Sequence, residues 1–97
     1  MTVTFNKNYS TIIINDVEIE LSQEHYKLLY YICTNNKIVS KEELREVLKD
    51  KWRSDNCIKN TIYTINTLIR ERIGKRLIFN KREIGYYVKK SLQVLEL

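Results

Sequence analysis

The chain has 97 residues, 43% hydrophobic and 30% charged. That is enough for one core hiding roughly 60 to 65% of the unfolded surface, and too little for a large multidomain enzyme. Its apolar runs, such as Ile12 to Ile14, are far too short to cross a bilayer, and Met1 to Phe5 lacks the basic head and apolar stretch of a secretory signal. A single cytoplasmic domain over residues 1–97, without membrane contact, is expected. The net charge of +5 divides into −2 over residues 1–48 and +7 over residues 49–97, which makes a polyanion the natural class of partner for the second half.

Residues 2–21 carry short β-favouring runs, VTF, STIII and VEIEL, separated by Asn6-Lys7-Asn8 and Asn15-Asp16. This spacing predicts a small antiparallel meander. Strict alternation in Val17-Glu18-Ile19-Glu20-Leu21 puts Val17, Ile19 and Leu21 on a buried face and leaves both glutamates in water. They read as solvent face, not as catalytic acids.

A three-helix core is predicted over residues 22–74. Ser22 has the chemistry of an N-cap, and the first helix should run to about Thr34, with Leu28, Leu29, Ile32 and Cys33 as its core stripe and Tyr26 at the margin. Asn35 and Asn36 tolerate left-handed geometry and can end it. Ser40 and Glu43 form a capping box for a second helix reaching about Lys51. Leu44, Val47 and Leu48 face inward there, while Lys41, Glu42, Arg45, Glu46 and Lys49 face water.

After a polar connection from Trp52 to Asn56, Ile58, Ile62, Ile65 and Ile69 mark the stripe of a long third helix, with Leu68 and Ile73 beside it and Gly74 as its C-cap. Four β-branched residues cost a few tenths of a kcal/mol each in helix propensity, so packing must hold this helix. The chain then reads as a basic β-hairpin over residues 76–89, with strands Arg76 to Asn80 and Tyr86 to Lys89 and Gly85 at the corner. Tyr86 and Tyr87 face opposite sides, one toward the core. Ser91 to Leu97 alternates apolar and polar residues, and strand or frayed end both remain open.

Opposite the isoleucine stripe the third helix presents Asn60, Tyr63, Thr64 and Thr67, flanked by Lys59 and Arg70, with no acid between Lys59 and Arg70. Donors, acceptors and methyl groups of this kind suit base edges in a major groove, whereas a solvated helix face more often balances Glu against Lys. Glu71 points toward the same side, so only the first three turns are expected to enter a groove. Lys59, Asn60, Tyr63, Thr64 and Thr67 are therefore the candidate groove contacts. Arg82, at the hairpin turn, is the candidate wing contact, and Arg53, Arg70, Lys75, Arg76 and Lys81 are the candidate phosphate contacts.

No catalytic residues, metal ligands or cofactors are expected. His25 is the only histidine, without Cys or acidic neighbours at ligand spacing. Ser-His-Asp and Cys-His catalysis have no convincing counterpart, and two glycines cannot build a phosphate-cradling loop. Cys33 and Cys57 fit neither a CxxC pattern nor a disulfide framework and read as reduced core thiols.

From Val3 to Lys89 the chain resembles the winged-helix effector domain of OmpR/PhoB-type response regulators and their ToxR-like relatives. Three phrases carry the likeness: Leu21-Ser22-Gln23-Glu24-His25-Tyr26-Lys27-Leu28-Leu29, Ile38-Val39-Ser40-Lys41-Glu42-Glu43-Leu44, and Ile78-Phe79-Asn80-Lys81-Arg82-Glu83-Ile84-Gly85-Tyr86. The last matches the family's wing. It departs from it at Glu83, where the family has a glycine. Trp52 falls about one turn later than the family's tryptophan, and in the third helix the family's "I-x-x-L-R" phrase fits only with one substitution, in either of two registers.

The resemblance implies an α+β winged helix-turn-helix, with an N-terminal antiparallel meander, three helices and a C-terminal hairpin wing. It further implies sequence-specific binding of double-stranded DNA by a bacterial transcriptional regulator of a two-component system, the third helix in the major groove and the wing in the minor groove. The family's polymerase-contacting loop corresponds to Lys51, Trp52, Arg53, Ser54 and Asp55, and tandem dimers on direct repeats are implied as well. The alternative is a winged-helix module that binds a protein partner and never DNA. RNA binding is disfavoured because no strand carries a spaced aromatic platform.

Overall fold

The computed structural model describes residues 1–97. Its elements in chain order are β1 (Thr2–Asn6), β2 (Thr11–Ile14), β3 (Val17–Glu20), α1 (Gln23–Thr34), α2 (Lys41–Leu48), α3 (Asp55–Ile73), β4 (Phe79–Lys81), β5 (Gly85–Tyr87) and β6 (Gln93–Glu96). β1, β2 and β3 form the expected antiparallel meander, and Asn15 and Asp16 turn the chain between β2 and β3 with positive φ of 52° and 65°. That is the conformation a two-residue hairpin needs, and Asn and Asp tolerate it better than most residues.

The end of the chain settles as a strand. β6 lies beside β1 in parallel, with Thr2 opposite Gln93 and Phe5 opposite Glu96, so the sheet order is β3-β2-β1-β6. A pairing 91 residues apart in sequence adds the fourth strand. It is supported by Gln93 N–H donating to Met1 O and Leu97 N–H to Phe5 O, each at 2.9 Å.

The three helices cover one face of this sheet. Val3, Phe5, Ile12, Ile14 and Ile19 meet Leu28, Leu29 and Ile32 of α1, Leu44 of α2, and Ile58, Ile62, Ile65 and Ile69 of α3 in one core. Phe5 stands edge-on to Tyr26 and Tyr30, at centroid distances of 5.5 and 5.2 Å, the geometry aromatic quadrupoles favour. The Ser22 hydroxyl accepts the His25 N–H, and Ser40 and Glu43 make the reciprocal capping box. Gly74 caps α3 at φ 76°.

Several expectations need correction. Asn35 does not turn left-handed: it is extended at φ −93°, and its amide instead donates to the Tyr31 carbonyl. α2 stops at Leu48, because Lys49 adopts the left-handed cap at φ 56°. α3 begins before Asn56, at Asp55, since the Ser54 hydroxyl caps it by accepting the Cys57 N–H. Cys57 on that first turn is exposed, whereas Cys33 is buried and its thiol is pushed up to about 12 by desolvation.

The hairpin is shorter than expected at its base. Leu77 and Ile78 precede β4 and are buried in the core. They are not paired as a strand because Asn66 of α3 occupies their backbone: its Oδ1 accepts from Leu77 N–H and Ile78 N–H, and its Nδ2 donates to Ile78 O.

Candidate nucleic-acid interface

α3 turns its isoleucine stripe wholly inward and leaves Lys59, Asn60, Tyr63, Thr64 and Arg70 exposed on the other side, Tyr63 at 65%. The Thr64 hydroxyl donates to the Asn60 carbonyl at 3.0 Å, so its methyl group is the part left free. Thr67 differs. It is half-buried, and its hydroxyl oxygen is closed to solvent without a hydrogen-bond partner. In this rotamer it offers no hydroxyl to a base edge, contrary to the expectation for that residue.

The hairpin is fixed to the body at two points. Asn66 ties the chain entering β4 to α3, and Val39 and Tyr86 exchange two backbone hydrogen bonds of 2.8 Å that tie β5 to the segment before α2. Gly85 is needed for this second junction, since a Cβ there would stand 2.0 Å from the Val39 carbonyl oxygen. The corner itself is made by Glu83, at φ 64°, with Ile84 N–H donating to Lys81 O at 2.9 Å. A glutamate thus holds a left-handed turn position that costs an L-residue about 1 kcal/mol, while the glycine expected at the corner serves close approach instead.

Tyr86 is buried, and Tyr87 lies on the other face against Phe79, ring centroids 5.8 Å apart. The Phe79 ring is flanked by the Arg76 guanidinium at 5.0 Å and the Lys89 ammonium at 5.7 Å. Lys75, Lys81 and Arg82 are exposed.

Ion pairing is confined to one stretch of the chain, although Lys7, Lys27, Lys49 and Lys51 are exposed and unpaired as well. Every ion pair joins residues between Glu24 and Asp55. From residue 59 onward, Lys59, Arg70, Arg72, Lys75, Arg76, Lys81, Arg82, Lys89 and Lys90 are all exposed, and none has an acidic partner within 4.0 Å.

Arg53 belongs to the first group, against its expected role as a free phosphate contact. Its side chain is 17% exposed and bound by Glu24 and Asp50, with Glu24 the main cause of its raised pKa. Arg45, expected in water, is likewise drawn in, donating to the Arg53 carbonyl and pairing with Asp55. The connection between α2 and α3 is therefore internally braced: Ser54 caps α3, Asp55 holds Arg45 and also meets Lys41. Lys51 and Trp52 project from it, Trp52 being 85% exposed with the Lys51 ammonium 5.3 Å from its ring centre.

Sequence reasoning missed three residues that position this surface. Asn66 sits at the edge of the buried stripe, where a polar residue among isoleucines was a usable signal. Val39 and Arg45 act through partners distant in the chain and gave none.

No family model matches the chain, and no curated protein does. Solved structures do. The DNA-binding domain of response regulator AdeR, in complex with an intercistronic region, superimposes with a TM-score of 0.79 at 15% identity, over 90% of this chain and 93% of that one. The Klebsiella pneumoniae RstA DNA-binding domain, in complex with the RstA box, gives 0.67 at 16% identity, over 80% and 81%. The DNA-binding domain of CpxR from E. coli gives 0.71 at 22% identity, over 92% and 88%. The chain therefore has the winged-helix fold seen in DNA-binding domains of OmpR/PhoB-type response regulators.

Proposed function

We propose that the domain binds double-stranded DNA sequence-specifically, as a cytoplasmic bacterial transcriptional regulator. In this reading α3 lies in the major groove and the β4–β5 wing reaches the adjacent minor groove. The observation that carries it is the segregation of charge: nine exposed cations from Lys59 to Lys90 are left without acidic partners. Phosphates can neutralise such cations with release of counterions, the main source of affinity for DNA.

Lys59, Asn60, Tyr63 and Thr64 are the side chains of α3 placed to meet base edges, by donors, acceptors and a methyl group. Arg70, Lys75, Arg76 and Lys81 serve backbone phosphates, and Arg82 serves the groove at the wing. Two of the structural neighbours were solved on DNA, which supports duplex DNA as the partner. Selection from random duplexes tests it, because the same experiment reads binding, base preference and the spacing of any direct repeat. Recovery of a defined motif is expected; an unenriched pool after several rounds, together with no salt-dependent shift, refutes it.

A protein partner is favoured at one place only. Trp52 and Lys51 stand out from the α2–α3 connection, where an exposed tryptophan has no structural role. RNA polymerase is the partner proposed for them.

A further inference from the structure

Away from the chain ends, Ile84 is the only large aliphatic side chain left exposed, at 55%. It takes no part in the core and occupies the tip of the wing, beside Arg82 and directly after the left-handed Glu83. Hairpin tips ordinarily carry polar or small residues. This tip is also held on a stem with little freedom: Tyr86 is hydrogen-bonded to Val39, Gly85 sits against the Val39 carbonyl, and Asn66 clamps Leu77 and Ile78 to α3. Ile84 thus stands at a set position relative to the groove-facing side of α3.

We propose that Ile84 is a specificity-determining residue, packing on the floor of the minor groove and selecting base pairs without the guanine amino group. The proposal rests on the DNA-binding reading above. Its chemistry is that of the groove floor: an A·T pair presents an adenine C2–H edge there, while a G·C pair projects the N2 amino donor. Isoleucine has no acceptor for that donor, so burying the pair would desolvate an N–H group and leave it unpaired. Against the apolar C2–H edge the same side chain buries surface without stranding a donor, and the purine N3 and pyrimidine O2 acceptors, common to both pairs, cancel from the comparison.

Inosine isolates this contact, because it lacks only the minor-groove amino group of guanine and keeps the major-groove edge. The full chain is titrated by fluorescence anisotropy against a mixed-sequence duplex and the same duplex with inosine in place of guanine. The wild type should bind the inosine duplex about fivefold tighter. I84A should bring the two affinities within about twofold while I84V keeps most of the difference, with thermal unfolding of both variants unchanged. A wild type without preference, or an I84A variant that keeps the full preference, overturns the assignment while leaving DNA binding intact. Absence of binding to either duplex at low salt is a different result and overturns the DNA reading itself, and this assignment with it.

Discussion

Asn66 and Ile78 exchange hydrogen bonds in both directions, the Asn66 amide donating to Ile78 O at 2.9 Å and accepting from Ile78 N–H at 3.0 Å. A third bond, from Leu77 N–H at 3.3 Å, completes the side chain's engagement. All of these groups are buried, so the side chain does for the entry to the wing what a strand partner would do. Together with the Val39–Tyr86 backbone pair, this amide fixes the wing relative to the proposed recognition helix.

Asn66→Ala should therefore cost about 2 to 4 kcal/mol, since three buried backbone groups lose their partner. The denaturation midpoint measures the loss, and amide exchange at Leu77 and Ile78 should accelerate more than at Ile12 or Leu28. Equal acceleration everywhere would mean that Asn66 is ordinary core, not a clamp on the wing.

The sequence made some of this legible and hid the rest for physical reasons. The capping box of Ser40 and Glu43, the isoleucine stripe and the Asn15-Asp16 turn follow from interactions within a few residues, and each stands in the structure as expected. The pairings of Arg53 with Glu24, Arg45 with Asp55 and β6 with β1 join distant parts of the chain, and nothing local marks them. For the candidate site the consequence was specific. An arginine in a polar connection looked free for phosphate, while its neutralisation by a residue 29 positions earlier could not be read.

That difference can be measured. Lys75→Ala and Lys81→Ala should each flatten the log–log salt dependence of duplex affinity by about 0.9, the contribution of one phosphate-neutralising cation. Arg53→Ala should leave that slope unchanged and lower thermal stability, because its charge is already matched by Glu24 and Asp50. A flattened slope for Arg53→Ala would restore it to the interface.

Glu83 gives a prediction of opposite sign. Glycine at this position removes the penalty of a left-handed L-residue, which outweighs the greater freedom of the unfolded chain only slightly, so Glu83→Gly should raise stability by at most about 0.5 kcal/mol. It also deletes an acid from the tip of the wing, and duplex affinity should rise most at low salt. A loss of stability of about 0.5 kcal/mol or more would show that the turn is not under strain.

Acid should act through Glu43. Lys37 and Tyr31 donate to its carboxylate at 2.8 and 2.9 Å, and chiefly the Lys37 bond lowers its pKa to about 2 from an ordinary 4.5. A depressed folded-state pKa means stability present above the ordinary value and lost as pH falls through the folded one, so the window is about pH 4.5 to 2. Thermal midpoints measured across that window should fall less steeply for Glu43→Gln than for the wild type. Parallel curves would remove Glu43 from the acid response.

Thr67 separates structure from readout. By helical rotation it lies opposite the isoleucine stripe, yet its hydroxyl oxygen is enclosed and unpartnered, and an unpaired buried hydroxyl costs about 1 to 3 kcal/mol. Valine keeps the shape and β-branching while deleting that oxygen, so Thr67→Val should raise the unfolding free energy by about 1 kcal/mol. Base preference in a duplex selection should stay as in the wild type. A relaxed preference at one base pair, with stability unchanged, would instead mean that the hydroxyl rotates outward on DNA and reads that base directly.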